Sequence, residues 1–159
     1  MGTSEWIDVV GIFLTSGIGI WIGSTVQKNL TNNRALKEFY ISEIKLINDD
    51  YSGFLKCLFK GEISSKTAQE WFKVMNMRIE TIQDSIISET DVLPEILANH
   101  ITIKQFVTHT EEFDAYYRQK ALILNPSTRN TILDLHKRLK NSFVKSIIGI
   151  NRAHIKAKG

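Results

Sequence analysis

Residues 31–61 read TNNRALKEFYISEIKLINDDYSGFLKCLFKG, and the spacing of their apolar side chains decides the fold. Leu36, Phe39, Tyr40, Ile44, Ile47, Tyr51, Phe54, Leu55 and Leu58 recur three and four positions apart, as on one face of an α-helix, where a strand would alternate. The pattern predicts one long helix from about Thr31 to Lys60, stopped by Gly61.

The same period continues downstream. A second helix is expected from about Ser65 to Ser88, with Thr67 and Glu70 at capping-box spacing and Trp71, Met75, Ile79, Ile82 and Ile86 as its buried stripe. A third is expected from about Asp91, with Pro94 in its first turn, to Leu122; it carries Leu93, Ile96, Leu97, Ile103, Phe106, Val107, Phe113 and Tyr117. Asn125-Pro126 is a helix start, and the fourth helix is expected to reach about Lys156. With only 2 prolines in 159 residues and no Asn-Gly or Asp-Gly hairpin signal, the fold class is all-α, a bundle of about four helices. Cys57 is the one cysteine, which excludes an intramolecular disulfide and a Cys-based metal site, and makes this part read as cytosolic.

Upstream, Trp6 to Val26 is apolar and, as a helix, would extend about 32 Å, enough to cross a hydrocarbon core of about 30 Å. Glu5 and Asp8 lie at its start and Lys28, Arg34 and Lys37 follow it, a distribution that disfavours a cleaved signal peptide and puts the N-terminus outside. The expected organisation is therefore a transmembrane segment over residues 1–27 and a cytoplasmic helical ligand-binding domain over 28–159. Asp8, Gly11, Thr15, Gly19 and Gly23 fall on one face of that helix, opposite Trp6, Val10, Phe13, Leu14 and Trp21. Small residues at every fourth position allow close helix approach, so self-association into a homo-oligomer is expected.

The formal charge of +3 is unevenly placed. Residues 27–117 hold ten basic and fourteen acidic side chains, and residues 118–159 hold ten basic and one acidic. On the fourth helix Ile132, Leu139, Phe143 and Ile150 share the core face, while Arg138, Lys145, Arg152 and Lys156, with Asn141, fall almost opposite. A solvated face ordinarily mixes signs, and here Asp134 alone interrupts the stripe. Arg138, Asn141, Lys145, Arg152 and Lys156 are therefore the candidate contacts for phosphate, on a nucleotide or on anionic lipid.

No phosphate-binding loop, dinucleotide fingerprint or nucleophile elbow is present. His109 and Glu112 have His-x-x-Glu spacing without the second set that a di-iron bundle needs, so neither metal nor cofactor is expected. Arg129-Asn-Thr-Ile-Leu-Asp-Leu-His136 resembles the Arg-x(4 to 6)-His motif of HEPN-superfamily ribonucleases, which are helical bundles. The resemblance implies metal-free RNA cleavage at a dimer interface, Arg129 steadying phosphate and His136 moving protons. Both residues also lie at the edge of the core face, where a structural histidine is the competing reading.

Taken whole, a spanning N-terminus followed by a helical domain that ends in the basic stretch His136 to Lys156 resembles the transmembrane ancillary effectors of type III CRISPR antiphage systems. That resemblance implies a non-enzymatic effector in a bacterial inner membrane whose cytoplasmic domain binds a cyclic oligoadenylate, with no DNA partner. A ring of four phosphates, as in cyclic tetra-adenylate, would suit a symmetric assembly such as a tetramer, and Tyr116, Tyr117 or Trp71 could stack on adenine. A membrane adaptor that binds anionic lipid is the alternative.

Overall fold

Gly61 closes the first helix with φ at +69°, a left-handed conformation that glycine alone adopts without strain. The computed structural model describes residues 33–117 and 121–155. Five helices make up the fold: α1 (Asn33–Lys60), α2 (Ser65–Glu89), α3 (Ile96–Thr108), α4 (Glu111–Ala115) and α5 (Pro126–Arg152). The packed pairs α1–α2, α2–α3, α3–α5 and α5–α1 close a ring, so α5 sits between α1 and α3 with α2 across the core from it.

The all-helical bundle is as expected, but the fold class as a whole is corrected. Among the described residues no helix is long and apolar enough to cross a membrane. α1 alone contains five basic and four acidic side chains, and α3, the most apolar of the long helices, has 13 residues and extends only about 20 Å. The segment expected to span, with Asp8, Gly11, Thr15, Gly19 and Gly23, lies outside the described residues, which themselves form a helical bundle.

Three local expectations also change. The α2 cap is Ser64: its hydroxyl accepts from the Thr67 amide at 3.1 Å, so Thr67 is inside the helix rather than at its cap. The third helix is two helices. Thr110 donates its hydroxyl to the Val107 carbonyl at 2.9 Å and accepts from the Phe113 amide at 3.3 Å, ending α3 and capping α4 with one side chain. Residues 121–125 then run back across the α1–α2 corner, where the Leu122 amide donates to the Ile63 carbonyl at 2.8 Å. Finally, α5 stops at Arg152, with the Ala153 amide bonded to Gly149, and Lys156 lies outside the described residues.

One continuous core fills the ring. α1 contributes Tyr40, Ile44, Ile47, Tyr51 and Leu58, α2 contributes Phe72, Ile79, Ile82 and Ile86, α3 contributes Ile103 and Val107, and α5 contributes Ile132, Leu139, Phe143 and Ile150, all buried. Leu122 and Leu124 plug one end. Polar ties cross the α1–α2 seam: the Arg78 guanidinium donates to Asp50 at 2.5 Å and to Glu43 at 3.2 Å, and the Tyr40 hydroxyl meets that of Ser85 at 2.8 Å.

The start of α5 is locked to α4. Asn125 accepts from the Thr128 amide at 2.8 Å, while Glu112 accepts from the Asn125 amide at 3.2 Å, from its side-chain amide, and from the Thr128 hydroxyl at 3.0 Å. These contacts, its own amide first among the causes, hold the Glu112 carboxyl below the usual carboxylate range. Asn125→Ala is expected to destabilise the chain by about 1 kcal/mol, the usual cost of losing a cap. Because Asn125 and Glu112 share hydrogen bonds, the loss in an Asn125→Ala/Glu112→Ala double variant should fall short of the sum of the single losses, as read from urea midpoints.

Candidate functional site: the outer face of the last helix

α5 forms because Asn125 caps it and Pro126 occupies its first turn with a backbone angle already set for a helix. Its inner stripe, Ile132, His136, Leu139, Phe143 and Ile150, together with Ser142 and Ser146, is buried in the bundle. The 3.6-residue period then sends Lys137, Arg138, Lys140, Asn141, Lys145 and Arg152 outward, and all six are exposed. Four of the five candidate phosphate contacts, Arg138, Asn141, Lys145 and Arg152, thus lie on one solvent-facing side, the fifth being Lys156.

Among the described residues none of these cations has an ion-pair partner. Among the described residues the ion pairs are Arg34–Glu38, Lys60–Glu62, Lys66–Glu70 and Arg78 with Glu43 and Asp50, and none involves α5. Asp134, one turn before Arg138, makes no ion pair with it. Arg138, Lys145 and Arg152 repeat every seven residues and so stand about 10 Å apart along the axis.

Two features of this face were not apparent in sequence. The first is an apolar element: Leu133, Val144 and Ile148 are exposed at 48%, 55% and 45% beside Lys137 and Lys140. The second is a cleft of about 170 Å³ between the α2–α3 connection and α5, lined by Val92, Leu93, Glu95, Ser142, Lys145 and Ser146. Gly149 allows that wall to approach, since a Cβ there would meet Val92 Cγ1 at 3.2 Å. A glycine inside an otherwise strong helix, opposite a connection bearing Pro94, was the available signal.

The ribonuclease candidates lie elsewhere. Arg129 donates from Nε to the Leu124 carbonyl at 2.9 Å, holding the end of the returning segment. His136 faces inward and stacks on Tyr51, ring centres 5.9 Å apart and 18° from parallel. Across Tyr51, His100 Nδ1 shares a 2.5 Å hydrogen bond with the Tyr51 hydroxyl. Nε2 of both histidines is buried and, among the described residues, has no hydrogen-bond partner within 3.5 Å in good geometry. Burial pushes His100 down to about 4, lowers His136, with Lys140 adding to the effect, and raises Tyr51 well above the ordinary phenol range.

Of the aromatic candidates, Trp71 stacks face to face on Phe54 at 3.8 Å on the α1–α2 side, away from α5. Tyr117 donates its hydroxyl to Gln69 of α2 at 3.2 Å, and Tyr116 packs half-buried against the core. Among the described residues no group of three or more metal-ligating side chains occurs. No protein-family model matches the chain, and neither a curated protein nor a solved structure matches it.

The buried imidazole makes stability depend on pH. His100 is neutral in the fold down to about pH 4, whereas an unfolded histidine takes a proton near 6.5. Its contribution is full above about pH 6.5 and is lost as the pH falls toward 4, on the order of 3 kcal/mol in all. The urea midpoint should drop across that window, and His100→Gln should flatten the slope there; an unchanged slope would show that His100 is not the titrating group.

Proposed function

We propose that this chain is a non-enzymatic binding module whose outer α5 face takes the phosphates of a multiply charged anion, in particular a cyclic oligoadenylate. The observation that carries the reading is the row of Arg138, Asn141, Lys145 and Arg152, exposed on one face with no acidic partner among the described residues. Cations spaced about 10 Å apart along the axis can each meet a different phosphate, so the arrangement suits a ligand with several. Copies of the chain arranged around such a ring would share its phosphates among equivalent α5 faces. Binding rather than RNA cleavage is supported by the burial of His136 and by the engagement of Arg129 with Leu124.

The exposed Leu133, Val144 and Ile148 favour a second reading, in which the same helix rests on anionic lipid headgroups with these side chains among the acyl chains. Titration of the full chain with cyclic tetra-adenylate, and sedimentation with phosphatidylglycerol vesicles, separate the two. The ligand reading expects Arg138→Glu and Lys145→Glu each to weaken nucleotide binding roughly ten- to hundred-fold, as for loss of a charged hydrogen bond. It also expects affinity to fall steeply with salt. Vesicle binding that is lost in Leu133→Ser/Val144→Ser, with no nucleotide binding by the wild type, would replace it with the lipid reading.

A further inference from the structure

Glu95 is exposed at the rim of the cleft whose opposite side is Lys145. A carboxylate next to a phosphate-binding face repels the ligand unless it receives a hydrogen bond from that same ligand. Glu95 and Lys145 line one cleft yet form no ion pair, and the Glu95 carboxylate makes no hydrogen bond among the described residues. With no bond holding the two side chains to each other, the Glu95 carboxylate is free to accept from a donor and the Lys145 ammonium to pair with an anion on the same ligand.

The walls describe the rest of that group. Leu93 is 78% exposed, the most exposed large apolar side chain among the described residues, and Val92 stands beside it against Gly149. Together they offer an apolar ledge to a flat ring. Ser142 and Ser146, both 3% exposed, lie one turn apart on the α5 side, and the Ser142 hydroxyl is committed to the Leu139 carbonyl at 2.7 Å. The volume of about 170 Å³ is below the several hundred typical of a whole-ligand pocket. It suits one ring of a larger molecule that continues along the cationic row.

We propose that this cleft receives an amine-bearing nucleobase, Leu93 and Val92 packing on its face, Glu95 accepting from its exocyclic amine, and Lys145 pairing with the adjoining phosphate. This rests on the reading of the α5 face as a phosphate-binding surface, and it gives that surface a selectivity that phosphate contacts cannot supply. A bare polyphosphate or a lipid phosphate has no donor for Glu95. Uracil presents a single ring with carbonyl acceptors on both sides of its one N–H, so it too is disfavoured beside a carboxylate.

Titration of the full chain with cyclic tetra-adenylate, cyclic tetra-uridylate and inorganic tripolyphosphate tests it. The wild type should prefer the adenylate over the uridylate by about ten-fold or more, as for one good hydrogen bond to a charged acceptor with its packing. Glu95→Ala and Leu93→Ser should each bring that ratio close to one, while Glu95→Ala leaves tripolyphosphate binding unchanged or tighter. Leu93 and Glu95 are surface side chains, so both variants should keep the wild-type melting temperature. A preference that persists in both variants overturns the cleft and leaves the phosphate face standing. Failure of the wild type to bind any of the three anions overturns the phosphate face, and the cleft proposal with it.

Discussion

The constraint on which the rest of this molecule depends is that α5 must bury one stripe between α1 and α3. Ile132, Leu139, Phe143 and Ile150 have no other place to leave water, and each large side chain so buried contributes about 1.5–3 kcal/mol. The helical period then leaves Arg138, Lys145 and Arg152 no choice but to face outward. The cationic face is a by-product of the core's geometry in position, though not in composition. Solvation alone does not ask for six basic side chains and one acidic one between Pro126 and Arg152.

The cap of α5 and the α4 segment serve that same helix. Glu112 ties Asn125 and Thr128 together, Leu122 is bonded to Ile63, and Ser65 donates to the Phe113 carbonyl at 2.9 Å. Three chain segments distant in sequence therefore meet at one end of the bundle. The other end of α5 is held by Lys37, whose ammonium donates to the Asn151 carbonyl at 3.0 Å, a favourable place for a cation at a helix C-terminus. Between these points the outer face is presented on a helix fixed at both ends.

Much of this was legible in the residues themselves. The stripes of α1, α2 and α5, the stop at Gly61 and the start at Asn125-Pro126 are local signals, and the structure keeps them. The break at Thr110 was not legible, because Thr110 becomes a cap only by bonding Val107 and Phe113 at once, and the apolar period on either side conceals the interruption. The run Trp6 to Val26, whose apolar length and flanking charges are those of a membrane helix, lies outside the described residues, and no helix among those residues is long and apolar enough to cross a membrane. At the candidate site, wheel geometry located Arg138, Asn141, Lys145 and Arg152, since these depend on one helix only. The cleft requires the approach of Val92 to Gly149 across 57 positions of chain, and no single-helix pattern contains it.

The Tyr51–His100 hydrogen bond bears on how one native arrangement is chosen over others. A core made only of leucine and isoleucine tolerates a helix slipping by a turn at modest cost, because apolar surfaces match in several registers. Here a one-turn slip of α3 against α1 would separate the phenol from the imidazole and leave two buried polar groups dry and unbonded. Each such group costs about 1–3 kcal/mol. The pair acts as an indexing pin: it adds little to the depth of the native basin, but it raises the energy of the neighbouring ones and so keeps the faces of the bundle in a single rotational setting.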